Sequence, residues 1–146
     1  ALLGKGGETL LTENALEHIV TRLTDEGLVI EIFDLPGAPL FVHETDAPHV
    51  VTTEIFGVLT EVLQIVRNEV AISGHVSTRP LLRIDYSEWD LSTSRAARVR
   101  LLIESEGLDP QRVVRLTGEA DRAHTAPDPA AVRNNRIELI VLRSDQ

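Results

Sequence analysis

The residues best equipped for chemistry lie between Ile72 and Leu139, and Arg95 leads them. The sequence predicts a helix from Leu91 to Glu106, which puts Arg95 in its first turn. There the helix dipole disfavours a cation, so a guanidinium held in that place calls for an anionic partner. One candidate is a bound carboxylate, gripped by a bidentate guanidinium and by the amide groups of Leu91, Ser92 and Thr93. The other is an internal salt bridge to Asp85, Glu88 or Glu119. Gly74-His75 closes a predicted strand, where glycine allows the turn that opens the next loop. His75 could meet a ligand or a metal, but a structural hydrogen bond is the reading its context favours. Trp89, the single tryptophan, reads as an anchor that fixes how the helix leaves the loop. Stacking on a sugar ring is its alternative.

No catalytic set accompanies these residues. Ser77, Ser92 and Ser94 stand in no Gly-x-Ser-x-Gly turn, and His18, His43, His49 and His124 lack metal-ligand spacing. With no cysteine, thiol catalysis, thiolate metal sites and disulfides are excluded. The chain is expected to be no enzyme, with no metal and no cofactor. Glu88 and Asp85 could form the carboxylate pair of a hydrolase, but turnover is not expected.

The elements that position these groups follow from periodicity. Leu16, Ile19, Val20 and Leu23 recur at helical spacing, which predicts a helix over residues 13–24 capped by Thr12. Leu28 to Phe33 alternates and predicts a strand. Residues 34–51 hold Pro36, Gly37, Pro39 and Pro48 and form a long connection of a length that is often functional. A helix follows from Thr52 or Thr53 to about Arg67, with Ile55, Val58, Leu59 and Val62 in its apolar stripe. Glu69 to Ser73 is a short strand, residues 76–90 a second long connection, and Arg112 to Gly118 and Asn134 to Arg143 the last two strands. The order α-β-α-β-α-β-β, with right-handed crossovers, predicts a two-layer α/β sandwich in which helices cover one face of a small mixed sheet. The first 26 residues read as an arm and linker helix, and 27–146 as the domain.

The chain has 146 residues, 42% of them hydrophobic, and a net charge of -9. That is one domain with a core of Leu, Ile, Val and Ala. The acidic surface repels phosphate backbones and anionic lipid, so no nucleic-acid partner is expected. No apolar run reaches the roughly 20 residues of a membrane helix. The start at Ala1 reads as a cut end.

Together, Gly74-His75-Val76-Ser77, the run from Glu88 to Val99 with Leu91-Ser92-Thr93-Ser94-Arg95-Ala96 at its centre, Gly118-Glu119, and Asn134-Asn135-Arg136-Ile137-Glu138 resemble the OmpA-like peptidoglycan-binding domain family. The resemblance covers about residues 27–142 and leans toward flagellar motor stator subunits of the MotB type, on Trp89 before Leu91-Ser92, on Pro80, and on the loop between Ser77 and the helix. It implies a non-catalytic domain, periplasmic, belonging to a single-pass inner-membrane protein whose membrane helix precedes this chain. The implied partners are peptidoglycan through its diaminopimelate peptide, a second copy of the chain, a channel-forming subunit and the flagellar basal-body ring. The implied binding residues are Arg95, Ser77, His75, Val76, Glu88, Leu91 and Arg136. Arg95 would meet the diaminopimelate carboxylate. Ser77 stands where the family has an aspartate for the ammonium, and Glu88 where it has an asparagine. Either Glu88 or Asp85 then supplies the missing charge, or the pocket is degenerate and the domain serves docking and dimerisation.

Overall fold

The computed structural model describes residues 13–78, 87–123 and 125–144. The expected arm at 1–11, its cap Thr12, Pro80, Asp85 and His124 lie outside them. Five strands form one mixed sheet in the order β1-β2-β5-β3-β4. They are β1 (Ile19–Leu23), β2 (Gly27–Phe33), β3 (Val70–His75), β4 (Val113–Gly118) and β5 (Arg136–Leu142). β5 runs antiparallel to both β2 and β3, and β3 and β4 are parallel. Helix α2 (Val50–Leu63) carries the chain over β5 from β2 to β3, and α3 (Glu88–Ser105) makes the crossover from β3 to β4.

The period-2 pattern of the strands decides where the core lies. Ile30, Ile32, Val70, Ile72, Ile137 and Leu139 point to the helices, where they meet Ile55, Phe56 and Leu63 of α2 and Ala96, Val99 and Ile103 of α3. Their neighbours Val29, Ala71 and Ile140 form a second, smaller apolar cluster, on the opposite sheet face. The two-layer arrangement expected from the sequence is the one observed.

The helix expected over 13–24 is a correction. Only Glu13–Leu16 is helical, as α1, and Ile19–Leu23 is the edge strand paired with β2 from Ile19↔Ile32 to Leu23↔Leu28. The helical spacing of Leu16, Ile19, Val20 and Leu23 competes with an Ile-Val-Thr run whose branched side chains favour a strand. A tight hairpin settles the contest. Thr24 and Gly27 exchange backbone hydrogen bonds of 2.8 and 3.1 Å. Gly27 sits at φ +146°, where a Cβ would lie 2.1 Å from the Val141 carbonyl oxygen. Leu23 is left 81% exposed, so the expected apolar stripe is not a buried face. The boundary expected between residues 26 and 27 falls in this hairpin.

Helix α3 is also longer at its start than expected. Ser87 is its N-cap, accepting a 3.0 Å hydrogen bond from the Asp90 amide, and the Leu91 amide already donates to the Ser87 carbonyl. Arg95 therefore lies two turns inside the helix. The dipole argument for an anion beside it does not apply, and the Leu91 amide is spent within the helix.

Candidate functional site

The carboxyl ends of β3 and β4 and the first turns of α3 meet at one end of the sheet, and two glycines let them. Gly74 and Gly118 are register partners. A Cβ at Gly74 would lie 2.2 Å from the Ser92 carbonyl oxygen, and one at Gly118 would lie 2.1 Å from Thr93 Oγ1. Ser92 Oγ donates to the Trp89 carbonyl at 3.1 Å and accepts from the Ala120 amide at 3.0 Å. Ala120, at φ +55°, accepts the Val76 amide at 2.9 Å. This stitching fixes the chain as it leaves β3.

Ser77 follows directly. Its amide donates to Asn135 Oδ1 at 2.8 Å. Asn135 also joins the site to the end of β2: its carbonyl accepts the Asp34 amide at 3.0 Å, and its side chain favours the charged form of the Asp34 carboxyl. Asp34 Oδ1 accepts the Leu40 amide at 2.9 Å. Burial pushes the Asp34 carboxyl above the usual carboxylate range, against the opposing pull of the Leu40 amide and the Arg95 guanidinium.

Arg95 is only 8% exposed. The connection between β2 and α2 wraps it: Nε donates to the Thr45 carbonyl at 2.8 Å, and the guanidinium lies 4.9 Å from the centre of the Phe41 ring. That connection is itself fixed, with Leu40 and Phe41 in the core and Thr52 Oγ1 donating to the Leu40 carbonyl at 2.6 Å. Leu91 and Val76 are buried beneath the same end of the sheet, and Glu88 is half-buried at the first position of α3. Arg95, Ser77, Val76, Leu91 and Glu88 are thus carried by the one end of the sheet.

His75 and Arg136, expected with them, are register partners that face the other side of the sheet. They belong to a buried ionic cluster. Arg136 Nε lies 3.2 Å from Glu138 Oε2 and 3.6 Å from Glu31 Oε2. Glu31 is gripped from two further sides, by Arg22 at 2.8 Å and Arg133 at 2.5 Å. His75 Nε2 is 3.2 Å from Ser73 Oγ and 3.8 Å from Glu138 Oε1. Burial, and then the Arg136 charge, lower the His75 pKa to about 4, so the ring is neutral at pH 7. Ser73, His75 and Glu138 have the residue types of a hydrolytic triad without its connectivity. Serine and carboxylate meet the same nitrogen, and Nδ1 has no partner among the described residues, whereas a working base has its second nitrogen held by the acid.

The sequence reading did not find Asp34, Thr45, Phe41 or Asn135 as pocket-forming groups. Asn135 was visible within the closing motif. The other three sit in the connection between β2 and α2, far from Arg95 in sequence, and carry no local signal. Trp89, expected as a core anchor, is 53% exposed. Among the described residues no three His, Asp or Glu side chains converge on a point suited to a metal.

Comparison with known proteins agrees with this geometry. No protein-family model matches the chain. Motility protein B of Escherichia coli K12 is 32% identical over 130 residues, covering 86% of this chain and 42% of that protein. The chain therefore spans less than half the length of the curated relative it matches. The periplasmic domain of Helicobacter pylori MotB superposes with a TM-score of 0.74 at 19% identity, covering 88% of this chain and 84% of that one. The cell wall anchor of the T6SS from Pseudomonas aeruginosa gives 0.74 at 23%, covering 90% and 92%. The OmpA-like domain of FopA1 from Francisella tularensis gives 0.63 at 13%, covering 99% and 100%.

Proposed function

We propose that this OmpA-like domain, which resembles the periplasmic domain of MotB, binds the diaminopimelate-bearing peptide of peptidoglycan and ties an envelope complex to the cell wall. Domains of this kind are non-catalytic. The observation that carries the reading is Arg95: a buried guanidinium at the strand ends, oriented by the Thr45 carbonyl and the Phe41 ring. A planar guanidinium can meet a carboxylate in bidentate fashion, a geometry that suits arginine and not lysine. Ser77 offers its hydroxyl where the family has a carboxylate, and Glu88 brings a negative charge to the start of α3. The likeness to a T6SS cell wall anchor as well as to MotB supports wall anchoring as the common role. The finer reading is that the complex is a flagellar stator, with a channel-forming subunit and basal-body ring proteins as further partners. The domain would then lie in the periplasm, attached to a membrane helix outside this chain. No helix among the described residues is long and apolar enough to cross a membrane.

The test is co-sedimentation with purified sacculi. The parent protein should pellet with the wall, and free diaminopimelate-type tetrapeptide should release it. A protein that stays in the supernatant at low salt contradicts the reading.

Ser77 favours a second reading, in which the pocket is vestigial and the domain docks and dimerises. Of the two apolar helix faces the sequence predicts, over 13–24 and over 52–67, the first is not a helix. Val62, Ile65 and Val66, at the end of α2 and just beyond it, are exposed. Association in sedimentation velocity, with no affinity for the wall, is the result that would favour this reading.

A further inference from the structure

Trp89 is the one tryptophan of the chain and stands 53% exposed in the first turn of α3. Its ring is nevertheless held in place. The Arg122 guanidinium lies 5.5 Å from the ring centre. Arg122 is itself fixed by Glu119, with Nε donating to the Glu119 carbonyl and Nη2 to its carboxylate, both at 3.2 Å. A planar cation anchored by its own acid thus covers the indole and orients it.

The platform shares its foundations with the Arg95 pocket. Glu119 donates its amide to the Gly74 carbonyl at 2.8 Å, and the Trp89 carbonyl accepts Ser92 Oγ, the group that also ties down Ala120 and through it Val76. Thr78, the residue after Ser77, donates its hydroxyl to Asp121 at 2.9 Å, next to Arg122. The segments that carry Ser77 and Trp89 are thus both tied to the loop that follows β4.

We propose that Trp89, oriented by Arg122, is a stacking platform for a neutral sugar ring of the glycan to which the wall peptide is attached. This inference rests on the reading that the Arg95 pocket binds that peptide. The C–H face of a pyranose is weakly positive and packs on the electron-rich face of an indole. Three extended residues of stem peptide span at most about 10 Å, so the proposal requires the sugar on Trp89 and the third residue at Arg95 to lie within that reach. The flanking carboxylates of Glu119 and Asp121 can accept hydrogen bonds from sugar hydroxyls and disfavour an anionic polymer. The competing occupant is another protein, since tryptophan and arginine are common at interface centres.

The test titrates two probes, a diaminopimelate-type disaccharide-tetrapeptide and the same tetrapeptide without sugar, into the parent, Trp89→Ala, Trp89→Phe and Arg95→Ala. The parent should bind the glycopeptide about 3- to 10-fold more tightly, the range expected of one aromatic stacking contact. Trp89→Ala should bind both probes equally, at the parent's affinity for the bare peptide. Trp89→Phe should keep part of the preference, and Arg95→Ala should weaken both. The single indole gives a second readout: its emission should shift with the glycopeptide and not with the peptide. Equal affinity of the parent for the two probes overturns the inference and leaves the pocket reading standing. So does an equal loss of both in Trp89→Ala, or unchanged affinity for both, which leaves the indole to a protein contact. If neither probe binds the parent, the pocket reading fails and this one falls with it.

Discussion

Arg95 and Arg136 are both buried, yet they sit in opposite kinds of surroundings. Arg136 stands at the foot of β5 between the carboxylates of Glu31 and Glu138, within a cluster that also draws in Arg22, Arg133 and His75. Its charge is matched by the sheet itself. Arg95 is reached from a connecting loop, which offers it a carbonyl, a ring face and the field of one buried carboxyl, Asp34, that burial pushes toward its neutral form. A buried guanidinium locked among carboxylates holds a fold together, because removing one partner strands the others. A buried guanidinium oriented at the strand ends by a carbonyl and a ring is suited to meeting an outside anion. The closing motif and the helix motif each contribute one buried arginine, and only the structure tells them apart.

The comparison can be broken most forcefully from the Arg136 side. Arg136→Ala should cost about 3–5 kcal/mol of stability, since it leaves two carboxylates short of a buried partner. Urea denaturation measures this, and a loss under ~1 kcal/mol would put Arg136 outside the structural role. Gly74→Ala should come next, at about 1–3 kcal/mol, because the new methyl would stand 2.2 Å from the Ser92 carbonyl oxygen and must push α3 away. It should weaken ligand binding as well, because the same contact carries Ser77 and Arg95. Wild-type stability in Gly74→Ala would show that α3 is not seated as described.

Ser77 sharpens the binding side. If the pocket lacks only a carboxylate for the ammonium, Ser77→Asp should tighten muropeptide binding about ten-fold. If Glu88 already supplies that charge, Ser77→Asp should do nothing or weaken binding, and Glu88→Gln should be the damaging change. One pair of calorimetric titrations separates these outcomes.

The smallest effect is a slope. The folded pKa of His75 is about 4, below the ordinary 6.5. Between those values the unfolded chain takes up a proton that the folded chain refuses, so stability falls as pH drops from about 6.5 to about 4. His75→Asn should flatten that part of the curve. Asp34, whose carboxyl is raised by burial, acts in the opposite sense but is common to both proteins and cancels in their difference. Identical slopes would mean that His75 takes up its proton without resistance from its buried setting.

Much of this molecule is legible in its sequence because its helices and central strands carry one period each. α2, β3, α3, β4 and β5 fall close to where their apolar spacing puts them. β1 does not, because Ile19, Val20 and Leu23 satisfy the helical spacing while their branched neighbours and the Thr24–Gly27 turn make a hairpin. The start of α3 was displaced because Ser87 caps it ahead of the apolar run, and that displacement removes the dipole argument for Arg95. Arg95 and Ser77 themselves were legible as a motif. What holds them, Thr45 and Asn135, comes from 50 and 58 residues away, and contacts of that range leave no periodic trace. His75 and Arg136 belong to the motifs that carry the family resemblance, which alone puts them with the pocket. The alternation of β3 and β5 turns both side chains to the other face.

The central claim is that Arg95 is the group that meets the wall peptide. The direct measurement is calorimetric titration of a diaminopimelate-type tetrapeptide into the parent and into Arg95→Ala, each first shown to unfold cooperatively. Binding to the parent with a ten- to hundred-fold loss in the variant, about 1.5–3 kcal/mol for a charge-assisted contact, is the expected result. Equal affinity for parent and variant would contradict it.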